Sequence, residues 1–268
     1  MPSKIKFTRK NINAIKIDYQ KNLLSSKKIG EKYNVSLDTI LRLLNNEGIE
    51  IRNSSDSHKK YSIDENYFER IDAEDKAYFL GLMYADGYNN EQKGEAKITL
   101  QSGDTEILNV FREKLQTNKP LRIDRVYRIL ALENKKISKD LARHGCVQAK
   151  TFKLKFPKLR KDLIRHFIRG YFDGDGSITN SGKYPHFSIV STKSFLTSIQ
   201  NIFIKELGLS KTKFTIRHPE RKHNIRSLWY GSYGNCILIY NYLYDDSSVF
   251  MKRKKIKFEK LLKPYGLQ

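Results

Sequence analysis

Two aspartates, Asp86 and Asp175, close two near-copies of one pattern, Phe79-Leu80-Gly81-Leu82-Met83-Tyr84-Ala85-Asp86-Gly87 and Ile168-Arg169-Gly170-Tyr171-Phe172-Asp173-Gly174-Asp175-Gly176. A carboxylate is a hard oxygen ligand, and two of them held side by side repel unless a cation lies between them. Oxygen-only ligation favours Mg²⁺, for which Mn²⁺ is expected to substitute, and the peptide carbonyls of Gly87 and Gly176 add neutral oxygens at the same place. A divalent ion so held can activate a water molecule and neutralise negative charge on a substrate, the ordinary uses of such a site in hydrolysis. A single Asp-Gly is ordinarily a turn. Two with the same flanks point to a shared task.

Those acids need elements that bring them together. Each copy is an apolar segment of helical period that ends in the acid and a glycine, so each carboxylate sits at a helix C-terminus, where the chain turns into a strand. Gly81 with Ala85, and Gly170 with Gly174, recur four apart and therefore share a helix face. Without bulky side chains there, the two helices can cross with their backbones nearly touching, and Asp86 and Asp175 emerge together below the crossing.

The segments after each motif follow one order. A hairpin with its turn in 89–94 and return strand over 96–101 leads to an amphipathic helix at 105–115, strands within 120–132 and a short helix at 138–144. The second motif helix spans 161–172. Strands at 177–179 and 186–191, a helix at 193–207, strands at 212–218 and 225–230, and a helix at 235–244 follow. The fold class is α/β of the α+β kind, a pseudo-twofold αββαββα repeat with two antiparallel sheets.

Ahead of it, residues 11–48 carry three short helical patterns, with Ser36 placed as an N-cap. A helix, a three-residue turn and a second capped helix in a basic segment resemble a helix-turn-helix, which would offer Leu37, Asp38, Leu41 and Arg42 to a major groove. The expected organisation is a small all-α domain over 1–53, a polar linker over 54–60 and the repeat over 61–268, with halves at about 61–160 and 161–268.

Composition limits the partners. The 268 residues hold 51 Lys plus Arg against 29 Asp plus Glu, a formal charge of +22, which points to a polyanion. No long apolar run or detached basic amphipathic anchor argues for a membrane, and the basic start runs into a patterned helix instead of a signal sequence. Cys146 and Cys236 are isolated, which argues against zinc and a disulfide framework. The expected setting is cytoplasmic and nucleoid-associated, not secreted.

The paired motifs resemble those of the LAGLIDADG homing endonuclease family at their Gly, hydrophobic, acidic and terminal Gly positions. Tyr84 replaces that family's first acid in copy one, whereas the second acid, the one used for metal, is present twice. The resemblance implies that the two four-stranded sheets form a saddle over double-stranded DNA. Asp86 and Asp175 would be catalytic metal ligands in a monomer that cuts both strands across the minor groove and leaves short 3′ overhangs. It further implies a lysine from each half at the centre, for which Lys150 and Lys252 are candidates, because Val147-x-x-Lys150 and Val249-x-x-Lys252 occupy matching places.

Target reading over a long, non-palindromic site would come from the strand faces. In the first half the candidates are Lys97, Thr99, Gln101, Arg122 and Arg128. In the second they are His186, Ser188, Lys213, Thr215, Arg217 and Arg226. About half should meet the DNA backbone or solvent, since most protein contacts to DNA go to the backbone. A mobile intron or phage is the expected source. Without intein splicing residues at Met1-Pro2 or Gly266-Leu267-Gln268, the chain resembles a free-standing member. The competing expectation is a non-cleaving binder on the same fold, an intron RNA maturase or a transcription regulator.

Overall fold

The computed structural model describes residues 7–22, 24–51, 61–148, 153–181, 184–216 and 224–263. The chain divides into two compact units, Met1–Ser62 and Ile63–Gln268. The expected linker at 54–60 lies outside the described residues.

In the first unit, helices α1 (Arg9–Gln20), α2 (Ser26–Tyr33) and α3 (Leu37–Asn46) each begin at a hydroxyl N-cap. Thr8, Ser25 and Ser36 accept from the backbone N–H groups of Asn11, Lys28 and Thr39, each cap contributing about 1 kcal/mol. Ile15, Tyr19, Ile29, Ile40, Leu44 and Ile49 form the core. Asn34, at φ 53°, ends α2 in the left-handed region, and only Val35 and Ser36 remain before α3 begins.

The second unit is built on α4 (Glu74–Ala85) and α7 (Lys161–Asp175), the two motif helices. After α4 come β1 (Gly87–Asn90), β2 (Glu95–Gln101), a 3-10 turn at Ser102–Asp104, α5 (Thr105–Lys114), β3 (Arg122–Asp124), β4 (Tyr127–Glu133) and α6 (Lys135–Arg143). After α7 come β5 (Ser177–Ser181), β6 (Tyr184–Thr192), α8 (Lys193–Leu207), β7 (Ile225–Gly231), α9 (Tyr233–Tyr244) and α10 (Lys252–Leu262). The antiparallel sheets have the orders β1-β2-β4-β3 and β5-β6-β7. The expected α/β repeat with two antiparallel sheets is thus present. Among the described residues, no helix is long and apolar enough to cross a membrane.

Three local expectations differ from the structure. The strand expected over 212–218 is reduced, among the described residues, to a single bridge between Thr215 and Ser227, so the second sheet has three strands and not four. Gln200 donates to the carbonyl and hydroxyl of Thr212 at 2.8 and 3.1 Å, which takes that carbonyl from the ladder, and the Trp229 indole donates to the Thr215 hydroxyl at 3.0 Å. Helix α7 runs through Asp175, past the expected end at 172. The last helix, α10, extends the repeat; Lys254, Phe258 and Leu262 are its buried residues, four apart on one face.

Register decides which strand residues can face a partner. Ala96, Ile98 and Leu100 of β2 are buried, so Lys97, Thr99 and Gln101 lie on the other face. Arg122 shares that outer face, since it is paired with Ile129, which also opposes Thr99. Arg128 does not, because it opposes buried Leu100 and donates to the carbonyls of Arg125 and Tyr127. In the second sheet His186 and Ser188 oppose Gly231 and Trp229 on the outer face, whereas Arg226 opposes Ser191 on the inner one. A period of two therefore removes Arg128 and Arg226 from the expected reading surface.

Candidate active centre

The centre begins with two glycines. A Cβ on Gly81 would lie 2.1 Å from the Phe167 carbonyl oxygen, and one on Gly170 would lie 2.0 Å from that of Tyr78. Helices α4 and α7 therefore touch through their backbones, as the small-residue spacing predicts. One turn further on, a Cβ at Gly174 would meet the Ala85 Cβ at 2.4 Å and Asp86 Oδ2 at 2.7 Å. The Asp86 carboxylate thus stands against the backbone of the residue just before Asp175. Asp86 is half-buried and Asp175 exposed.

Electrostatics places both acids in one neighbourhood. The Tyr171 hydroxyl, which donates to the Val190 carbonyl at 3.1 Å, is pushed up first by burial and then by the charges of Asp175 and Asp86. Among the described residues, no group of three or more His, Cys, Asp or Glu side chains is arranged to hold a metal. Two neighbouring carboxylates are oxygen ligands of the kind a hard divalent cation takes, with its remaining ligands drawn from phosphate and water.

Of the lysines at the start of α10, Lys254 is buried and Lys252 is exposed. Lys254 is 7% exposed, and its ammonium donates to the carbonyl oxygen of Gly176, with that of Phe172 at 3.5 Å. Burial pushes its pKa down to about 8; Arg253 lowers it further, while Asp173 and Asp86 pull it back up. Lys252 lies on the surface, with its ammonium 2.6 Å from the Glu106 carboxylate. Lys150 lies outside the described residues. Of the candidate carbonyls, that of Gly176 is engaged by Lys254, and Gly87 begins β1 in register with Ile98.

A third motif acid holds the frame. Asp173 is fully buried and accepts from the hydroxyls of Tyr78 at 2.8 Å and Tyr244 at 2.5 Å and from the Met251 N–H at 2.7 Å. Its pKa is raised by burial despite these donors. One carboxylate thereby joins α4, α7, α9 and the start of α10. In copy one the corresponding Tyr84 instead donates its hydroxyl to the His144 carbonyl at the end of α6. Arg169, also fully buried, donates to Glu74 at 2.7 Å, to the Leu243 and Val249 carbonyls and to His166. These contacts tie the upper ends of the motif helices to the 243–249 segment.

On the outer sheet faces, Lys97, Gln101 and Arg122 are exposed and Thr99 is half-buried. His186 is half-buried, Ser188 is buried, and Lys213 and Thr215 are exposed. Arg217 lies outside the described residues. In the first unit Leu37, Asp38 and Arg42 are exposed on α3 and Leu41 is half-buried. Sequence reasoning passed over two aromatics on these faces. Trp229 is 38% exposed beside Ser188, and Tyr88 lies under the Lys97 ammonium, 5.1 Å from the ring centroid. Their neighbours Leu228 and Tyr230 are core residues, so only the strand register separates Trp229 from them.

The family model described as a LAGLIDADG-like domain matches residues 162–241. An uncharacterized protein of Methanocaldococcus jannaschii is 27% identical over 203 residues, which span 68% of this chain and 72% of that protein. Among solved structures, the I-LtrWI LAGLIDADG homing endonuclease bound to target DNA aligns over 75% of this chain and 91% of its own, at 12% identity and a TM-score of 0.46. The LAGLIDADG meganuclease I-AabMI bound to uncleaved DNA aligns over 70% and 90%, at 11% identity and a TM-score of 0.48.

Proposed function

We propose that this chain, whose residues 162–241 match the model of a LAGLIDADG-like domain, is a site-specific endonuclease that hydrolyses both strands of duplex DNA with divalent metal ions. The observation that supports this reading is the approach of the Asp86 carboxylate to Gly174, the residue just before Asp175. Asp86 and Asp175 would hold the cation, Mg²⁺ in the cell with Mn²⁺ as a substitute. When bound, that ion supplies water activation and charge neutralisation at the scissile phosphate.

The side chains would do the rest. Asp86 and Asp175 would hold the ion and position a water beside it, the water's proton passing to solvent and the departing oxygen taking one from solvent. Lys254 presents its ammonium to the negative charge that grows on the phosphate oxygens, a form of stabilisation that is strongest where water is excluded. The Gly176 carbonyl aims that ammonium, and Asp173 fixes α7 and the start of α10 beneath it.

Target reading is assigned to the outer faces of the two sheets, where Lys97, Thr99, Gln101, Arg122, His186, Lys213 and Thr215 can meet base edges or phosphates, while Ser188 is buried beneath that face. The first unit would act as a helix-turn-helix that lengthens the footprint through α3 and adds affinity by effective concentration. A monomer suffices, because one chain carries both motifs.

The test is to incubate the whole protein with Mg²⁺ and a randomised duplex library at near-physiological salt. Cuts at a defined sequence, lost in Asp86→Asn and in Asp175→Asn with DNA affinity retained, are the expected result. Intact DNA together with tight, specific RNA binding would overturn it in favour of a maturase.

A further inference from the structure

Helix α10 begins with four consecutive cations, Lys252, Arg253, Lys254 and Lys255. Positive charge at a helix N-terminus opposes the helix dipole, whose positive end lies there. No side chain caps this terminus either. The first turn must therefore be held by contacts from outside the helix.

Those contacts come from two directions. From the motif side, the Met251 N–H donates to Asp173 Oδ2 at 2.7 Å. From the first half of the repeat, Asp104 and Glu106 reach the next two residues. Arg253 Nε lies 2.8 and 2.9 Å from the two oxygens of Asp104, and Lys252 Nζ lies 2.6 Å from Glu106 Oε1. The two pairs are unequal. Lys252 and Glu106 are both more than half exposed, and such surface pairs contribute little. The Asp104 side chain is only 3% exposed, so its charge depends on Arg253 for compensation. Successive helical residues point about 100° apart. With Arg253 locked to the first half, the direction of Lys254 is fixed towards Gly176.

We infer that the Asp104–Arg253 pair is a positioning device through which the first half of the repeat aims Lys254 of the second half into the centre. Asp104 and Arg253 are positioning residues here. The inference rests on the proposed role of Lys254 for its catalytic consequence, and on geometry alone for its placement.

Two measurements on the full chain separate these. The first is acetylation of Lys254 by acetic anhydride at fixed pH, followed by peptide mapping. In Asp104→Asn, labelling of Lys254 should rise at least fivefold while that of Lys257 and Lys260 stays within twofold. Unchanged labelling at Lys254 overturns the inference whether or not the protein cuts DNA. The second is the single-turnover cleavage rate at saturating target. Asp104→Asn should slow it about tenfold with DNA affinity unchanged, and should add no further loss in a Lys254→Met background. Equal fold losses in both backgrounds would overturn the inference, because the pair would then act independently of Lys254. Arg253→Lys, which keeps a donor to Asp104, should recover most of the rate. If Asp104→Asn does not fold, Arg253→Gln alters a half-exposed side chain and is read in the same way. A Lys254→Met variant that cuts at the wild-type rate would remove the catalytic role of Lys254, leaving the labelling result to judge the clamp.

Discussion

Lys254 combines a cost and a use in one side chain. Its pKa stands at about 8 in the folded protein against an ordinary 10.5, a depression worth about 3 kcal/mol against the charged form. Between those two values the unfolded chain binds more protons than the folded one, so this group's contribution to stability rises with pH from about 8 to 10.5. Activity should run the other way. The ammonium is present at pH 7 and is lost above about 8, so the single-turnover rate should stop rising with pH there, and Lys254→Arg should extend the rise. Lys254→Met should cut the rate roughly 10²-fold, and at pH 7 it should raise the unfolding temperature. A variant both slow and less stable at that pH would contradict the assignment. A signal for Lys254 exists in the sequence, since it falls on the 254/258/262 stripe of a helix whose other stripe residues are apolar. Spacing matched to Val147-x-x-Lys150 points to Lys252, two positions and about 200° away around the helix, so the rates of Lys252→Met and Lys254→Met decide between the two.

At the scale of elements, the repeat was legible because the small-residue spacing and the acid-glycine endings are local features with one geometric solution. The glycines test that solution. In Gly170→Ala the new methyl would collide with the backbone of α4, and the expected loss is about 3 kcal/mol in denaturant unfolding; a loss under about 1 kcal/mol would mean that the helices do not cross there. Strand faces were less legible, because polarity alone does not say on which side of a sheet an arginine falls. Register does, and it yields a paired prediction. Arg122→Ala should weaken DNA binding and lower the salt slope by about one charge, whereas Arg128→Ala should leave both nearly unchanged when binding is followed against salt. The reverse ranking would place the DNA on the other face. Among the described residues, the shortfall of the fourth strand in the second sheet was not readable from propensity, since the Thr212 carbonyl is taken by the side chain of Gln200 on the preceding helix.

For the whole molecule, a charge of +22 makes electrostatic attachment to any duplex strong at low salt. Specific cleavage should therefore emerge as salt approaches physiological levels, with binding to random duplex falling by about 10³-fold or more between 50 and 200 mM. The measurement closest to the central claim, that Asp86 and Asp175 share a cation, is anomalous X-ray scattering from Mn²⁺-soaked crystals of the protein on its selected duplex. The expected result is a peak within coordination distance of both carboxylates and of a DNA phosphate, absent in the Asp86→Asn protein. Peaks that avoid one of the two acids, or none at the helix crossing, would contradict it.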